Sequence, residues 1–286
     1  MPSFDQGTVY GNLYSYKLYT RPTARRLFGS YSFRKKPLPK HPENVQKMLE
    51  ILALNGSLTT WGMAKTQLDN SGGIRTKEKE YRRLLVGRKD RGKKTSGVLD
   101  VGLVVKDGKS YVKGPSELYR LSLHGILYCM DTLDLTNKQI DTMASEYAHV
   151  LPWIFGKWDY LKAVIGDEVY RLKILASGLF LDNIQITSVS KFPVYEIMTY
   201  ISVKYQNSFE YISENELADQ ISYWFYTHLL VPSRLTTRKK ESHLEINKWK
   251  KIFAGNEELK NWYYSFLYES AKFYKSRFST IKHLKI

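Results

Sequence analysis

Residues Ile51 to Lys65 read ILALNGSLTTWGMAK, and this stretch decides the fold. Just upstream, Val45, Met48, Leu49 and Leu52 recur at the helical period behind Pro42, a residue suited to a first helical turn. Asn55-Gly56 then supplies a C-terminal stop. Leu58-Thr59 has the character of a short strand, and Thr60 suits the N-cap of a second helix carrying Trp61, Ala64, Lys65 and Leu68. The expectation for this part of the chain is helix, short link, helix.

Asp69 to Gly73 reads as a turn, and Thr76 as the cap of a third helix running to about Lys89. Glu80 sits one residue late for an ideal capping box. At about 100° per residue, Tyr81, Leu84, Leu85 and the stem of Arg88 share one face. Arg75, Thr76, Lys79, Arg82, Arg83 and Val86 fall on the other. The first face can pack, which leaves the basic face free. A helix fits the major groove of B-form DNA, and arginine pairs bidentately with guanine or phosphate. A merely solvated helix shows a basic outer face too.

Arg88 to Ser96 is a second basic, glycine-containing run that includes Lys93 and Lys94. Beyond it, Leu103 to Lys106 and Lys109 to Val112 flank Asp107-Gly108, the signal for a tight hairpin turn, which puts Lys106 and Lys109 near its tip. Tyr119, Leu121 and Leu123 alternate as a half-buried strand ending at His124-Gly125.

Charge is uneven along the chain. Of the 44 Lys and Arg, twenty-four lie in positions 1–130 against ten acids, a surplus of fourteen, whereas the remainder holds twenty bases and eighteen acids. Repulsion among so many like charges calls for open solvent or a polyanionic partner, and nucleic acid is the leading one. Residues 6–42 contain no acid and interleave bases such as Arg25, Arg26 and Arg34 with Tyr10, Tyr14, Phe28 and Tyr31. With no persistent period and several prolines, this reads as an extended arm whose bases neutralise phosphates. A solvated tail, or one tied to the C-terminal part by its tyrosines, is the alternative.

ILALNGSLTTWGMAK, KEYRRL (Lys79 to Leu84), GLVVKDGKSY (Gly102 to Tyr111) and YRLSLHG (Tyr119 to Gly125) together resemble a winged helix-turn-helix domain of the kind found in archaeal regulators. The resemblance covers about positions 43–133. It implies that the middle phrases are a recognition helix and a wing, and that the last is a strand leading into a closing helix at Ile126 to Leu133. The chain departs from the usual pattern by inserting Gly87 to Ser96. Tyr147 to Lys162, YAHVLPWIFGKWDYLK, is similar to segments that follow such domains in archaeal proteins.

The second half reads as mostly helical, with Thr136 as an N-cap and breaks near Pro152, Gly166, 182–193, 206–213, 232–240 and Gly255. Tyr223, Trp224, Phe225 and Tyr226 form one aromatic cluster and Trp262, Tyr263, Phe266, Tyr268, Phe273 and Tyr274 another, both better suited to a core than to a ligand cage. Arg234, Arg238, Lys239 and Lys240 make a secondary basic loop. Glu146 and His149 have Glu-x-x-His spacing without the second pair that a di-metal centre needs. Glu258 and Lys260 match the end of some nuclease motifs, a pattern that arises by chance in charged helices. The single cysteine, Cys129, forms no internal disulfide, and no apolar run approaches the roughly 18 residues that span a bilayer.

The expected fold is mainly α with a small β wing: an arm at 1–42, a winged helix-turn-helix at 43–133 and a helical part at 134–286 for self-association or partner contact. The expected function is binding of duplex DNA, as a transcriptional regulator or, alternatively, as a sequence-neutral chromatin or replication protein. A nuclease is a weaker alternative. The expected DNA contacts are Arg75, Thr76, Lys79, Arg82, Arg83, Lys93, Lys94, Lys106 and Lys109, with Arg25, Arg26 and Arg34 from the arm. No cofactor, metal or membrane is expected, a homodimer is, and the setting is cytoplasmic and chromosome-associated.

Overall fold

Pro42–Asn55 forms the first helix, α1, whose buried stripe is Val45, Met48, Leu49, Ile51, Leu52 and Ala53. Gly56 ends it with φ of 65°, its amide donating to the Leu52 carbonyl at 3.0 Å. The computed structural model describes residues 42–90, 93–100, 102–112, 114–173, 213–230 and 250–277. The arm and its Arg25, Arg26 and Arg34 lie outside the described residues, as do most of the breaks expected between 182 and 240 and the basic loop that starts at Arg234.

Helix α2 spans Thr60–Lys65, and its cap is Thr59 rather than Thr60: the Thr59 hydroxyl accepts the Gly62 amide at 3.0 Å. Thr60 is buried and its hydroxyl turns to Glu78. The helix stops before Leu68. Helix α3, Ser71–Val86, begins five residues ahead of Thr76, because Asn70 caps it by accepting the Gly73 amide at 2.7 Å. Two glycines in a first turn cost helix propensity, about 1 kcal/mol each. The Asn70 cap and the burial of Ile74 offset that cost. Thr76 lies inside the helix, with its hydroxyl on the Gly72 carbonyl, and Glu80 pairs with Lys77 at 2.9 Å instead of reaching back to a cap.

Gly87 (φ 81°) ends α3 three residues before the expected limit and starts a hairpin in place of the expected insertion. Its strands are β1, Gly87–Asp90, and β2, Lys93–Ser96, paired antiparallel. The chain returns onto the end of α3, where the Val98 and Leu99 amides donate to the Leu84 and Leu85 carbonyls at 3.0 and 3.2 Å. A Cβ on Gly97 would stand 2.0 Å from the Leu85 carbonyl oxygen, so only glycine fits this closure.

The second hairpin pairs β3, Val104–Ser110, with β4, Ser116–Leu121. Asp107-Gly108 is not its turn. The register passes from Lys106↔Tyr119 to Lys109↔Glu117, so the two residues bulge opposite one, with Gly108 at φ 84°. Tertiary contacts override the local turn signal: the Asp107 carboxylate accepts from the Ser57 hydroxyl and, at 3.2 Å, from Arg120 Nε. Strand β3 therefore runs on to Ser110. Leu58 makes an isolated bridge to Tyr119 where a short strand over Leu58-Thr59 is expected.

Strand β4 ends at Leu121, and Ser122 caps helix α4, Leu123–Thr132, so the closing helix begins three residues before Ile126. It is buried along Ile126–Met130. Thr136 and Gln139 form a capping box for α5, Asn137–Glu146, whose Ile140, Met143 and Ala144 pack towards α1. Tyr147 follows, fully buried, its hydroxyl donating to the Leu52 carbonyl at 2.8 Å and accepting the Leu121 amide at 3.1 Å. After the turn at Pro152, α6 spans Trp158–Ile165. The Asp141 carboxylate on α5 accepts from Trp158 Nε1 and Tyr170 Oη at 2.8 Å and from Lys162 Nζ at 2.7 Å, which fixes α6 and its continuation.

Two further helices, α7 (Glu214–Leu230) and α8 (Glu257–Arg277), join through rings: Tyr223 stacks on Tyr263 at 5.2 Å, and Trp262 stacks on Trp153 at 4.8 Å. The described part of the two aromatic clusters is thus mostly core, although Tyr268 stays about half exposed, as does the neighbouring Tyr264. Among the described residues the fold is mainly helical with two small antiparallel hairpins, and the buried residues form one cluster that includes α1, α3, α4, α5, α7 and α8.

Candidate nucleic-acid interface

Helix α3 is divided as its sequence pattern requires. Ile74, Tyr81, Leu84 and Leu85 are buried, whereas Arg75, Thr76, Lys79, Arg82, Arg83 and Val86 are all exposed. At about 100° per residue, Arg75, Lys79, Arg82 and Val86 fall within about 60° of one another, with Arg83 and Thr76 to one side. The row from Arg75 to Val86 is about 16 Å long at the helical rise. That length suits a groove-lying helix.

Packing and polar contacts hold this face in orientation. The Tyr81 hydroxyl donates to Gln67 Oε1 at 2.6 Å, and burial raises its pKa well above the ordinary value, so it stays a neutral donor. Lys77 lies over the Tyr81 ring, 5.4 Å from its centre. Glu78 accepts from the Thr60 hydroxyl at 3.2 Å and from Arg82 Nη2 at 2.9 Å, with the acid one turn N-terminal to the base, the favourable order on a helix. The Arg82 side chain nevertheless keeps 68% of its surface in solvent. A surface pair of this kind is worth a few tenths of a kcal/mol, so the guanidinium is easily released to a phosphate or a base edge.

The other expected contacts fall in two places. Lys93 and Lys94 stand on β2 of the first hairpin. Lys106 and Lys109 stand along β3, not at the tip of the second hairpin, because the bulge moved the turn forward. Both are exposed, and Lys106 meets Glu117 at 3.4 Å. The residues toward the tip are Tyr111 and Val112, 73% and 88% exposed. Sequence reading missed them by placing the turn at Asp107-Gly108, although Gly114-Pro115 is also a turn signal.

Glu146 and His149 are both exposed. Among the described residues, no group of three or more His, Cys, Asp and Glu is placed to hold a metal ion. Glu258 pairs with Lys157 at 2.5 Å and Lys260 with Glu257 at 3.0 Å, as surface ion pairs. Cys129 is buried, and burial pushes its thiol far above the range in which it ionises. Among the described residues, no helix is long and apolar enough to cross a membrane. No family model, curated protein or solved structure matches this chain, so the basic face of α3 stands on its own geometry and charge.

Proposed function

We propose that the protein binds duplex DNA in the manner of a winged helix-turn-helix regulator, with α2 and α3 as the helix-turn-helix, β3–β4 as the wing and the basic arm as an added clamp. The observation that carries this reading is the exposed row Arg75, Lys79 and Arg82, flanked by Arg83, on a helix whose opposite side is locked into the core. The charge surplus of positions 1–130 supports it independently. In this reading Arg82 and Arg83 reach base edges or phosphate, and Lys79 sets the helix against the backbone. Lys106 and Lys109 hold the flank of the wing, and the helical remainder serves self-association on the chromosome. No catalytic role is assigned.

Electrophoretic shift of a duplex by the full chain tests this. Arg82→Ala and Arg83→Ala are each expected to weaken binding by about 1–3 kcal/mol. Unchanged affinity in the double variant overturns the assignment. Equal affinity for all duplex sequences, with a steep salt dependence, would make the protein a sequence-neutral chromosomal binder rather than a regulator.

A further inference from the structure

We infer that the hairpin β1–β2 is a second phosphate-binding ribbon, one that grips duplex DNA by charge and leaves sequence reading to α3. The inference rests on the proposal that the exposed face of α3 meets the duplex, and three features of the hairpin carry it.

Its position is the first. The hairpin leaves α3 at Gly87 and rejoins it through the Val98 and Leu99 amides on the Leu84 and Leu85 carbonyls. Its base is therefore fixed to the same last turn that carries Arg83, next to Arg82. A ribbon rooted there lies beside whatever α3 contacts.

Charge is the second. Within β1 and β2 the sequence places Arg88, Lys89, Lys93 and Lys94 against the single acid Asp90. The C-terminal end of a helix carries partial negative charge from its unpaired carbonyls, and such an end repels phosphate. Here two of those carbonyls are taken up by Val98 and Leu99, and the bases that follow reverse the sign. The end of α3 least suited to a polyanion becomes a cationic one.

The register is the third. Lys89 stands opposite Lys94, while Asp90 stands opposite Lys93. Like charges facing each other across an antiparallel pair oppose the pairing, and a lone two-stranded ribbon is marginal to begin with. Hairpin stability alone favours an acid at position 89 or 94. A phosphate strand along the ribbon turns that repulsion into attraction. Lysine acts as a point charge without planar recognition geometry, which suits backbone neutralisation rather than base reading.

The test is a salt series of fluorescence-anisotropy titrations of a labelled duplex with the full chain. A variant combining Lys89→Gln, Lys93→Gln and Lys94→Gln is compared with the wild type. Each neutralised phosphate contributes about 0.9 to the slope of log affinity against log salt, so the slope is expected to become shallower by about 2–3. The ratio of affinities for two different duplex sequences is expected to stay the same. A second variant excises residues 88–95 and closes Gly87 to Ser96 through an Asn-Gly turn, with its thermal midpoint reporting that the rest remains folded. Wild-type binding with an unchanged slope in the lysine variant overturns this inference and leaves the α3 reading standing. Absence of any wild-type binding to duplex overturns both. An effect of the ribbon on RNA alone overturns the choice of partner.

Discussion

Arg120 and Glu214, 94 positions apart, meet in a two-point ion pair, Nη2 to Oε2 at 2.8 Å and Nη1 to Oε1 at 3.3 Å. The same carboxylate accepts the Leu123 amide at 2.9 Å, and Arg120 Nε reaches Asp107 at 3.2 Å. One residue at the head of α7 thus holds strand β4, the β3 bulge and the first turn of α4. The Arg120 side chain is 14% exposed, so removing Glu214 leaves a largely desolvated guanidinium with Asp107 as its remaining carboxylate. Glu214→Ala is expected to lower stability by about 2–3 kcal/mol in urea unfolding, with Glu214→Gln losing less because it still accepts the Leu123 amide. Equal stability of all three proteins would contradict this.

Tyr147→Phe removes one oxygen from the middle of the molecule. The Leu121 amide loses its acceptor in buried surroundings, and the Leu52 carbonyl keeps only the Gly56 amide as donor. A loss of about 1–3 kcal/mol is expected, with faster hydrogen exchange at the Leu121 amide as the local readout.

Asp141 makes stability depend on acid. Burial pushes its carboxyl upward, but the hydrogen bonds from Lys162, Trp158 and Tyr170, with the Lys162 charge, outweigh that and leave it below its ordinary value. A group depressed in the folded state contributes its stability above the unfolded pKa and loses it as pH falls through the folded one. Wild type and Asp141→Asn are therefore expected to differ by about 1–2 kcal/mol at neutral pH and to converge below about pH 4. A constant gap across an acid titration of the thermal midpoint would remove Asp141 from this role.

Gly97→Ala tests the root of the first hairpin. The added methyl meets the Leu85 carbonyl oxygen at 2.0 Å, backbone that cannot swing aside as a side chain would. A loss of about 2–3 kcal/mol is expected, with the Val98 and Leu99 amides losing exchange protection first. Full protection at both amides would show that the closure tolerates a side chain.

The elements that sequence reading recovered are those in which apolar period and cap agree. Helix α1, with Pro42 in front and Gly56 behind, emerged with its bounds intact, and so did the Thr136 N-cap and the two faces of α3, except that Arg88 falls on β1. The errors came where two local solutions compete. Thr59 and Thr60 are equally good caps until Glu78 claims the second hydroxyl. Ser71-Gly72-Gly73 has turn composition, yet Asn70 and Ile74 draw it into the helix. Asp107-Gly108 has turn composition too, yet Ser57 and Arg120, distant in sequence, hold the aspartate in mid-strand. The insertion at Gly87–Ser96 lacks the apolar alternation that marks a half-buried strand, so no periodicity announced β1 or β2.

The reach of Tyr147 back to Leu52 and Leu121 also governs how the molecule can be shortened. Any fragment trimmed ahead of that tyrosine would bare the greasy flank of α1 beneath α5, and would clump before a ligand could be offered to α3. The smallest useful piece for titration or crystallisation has to carry α5 and the turn at Pro152 along with the basic helix.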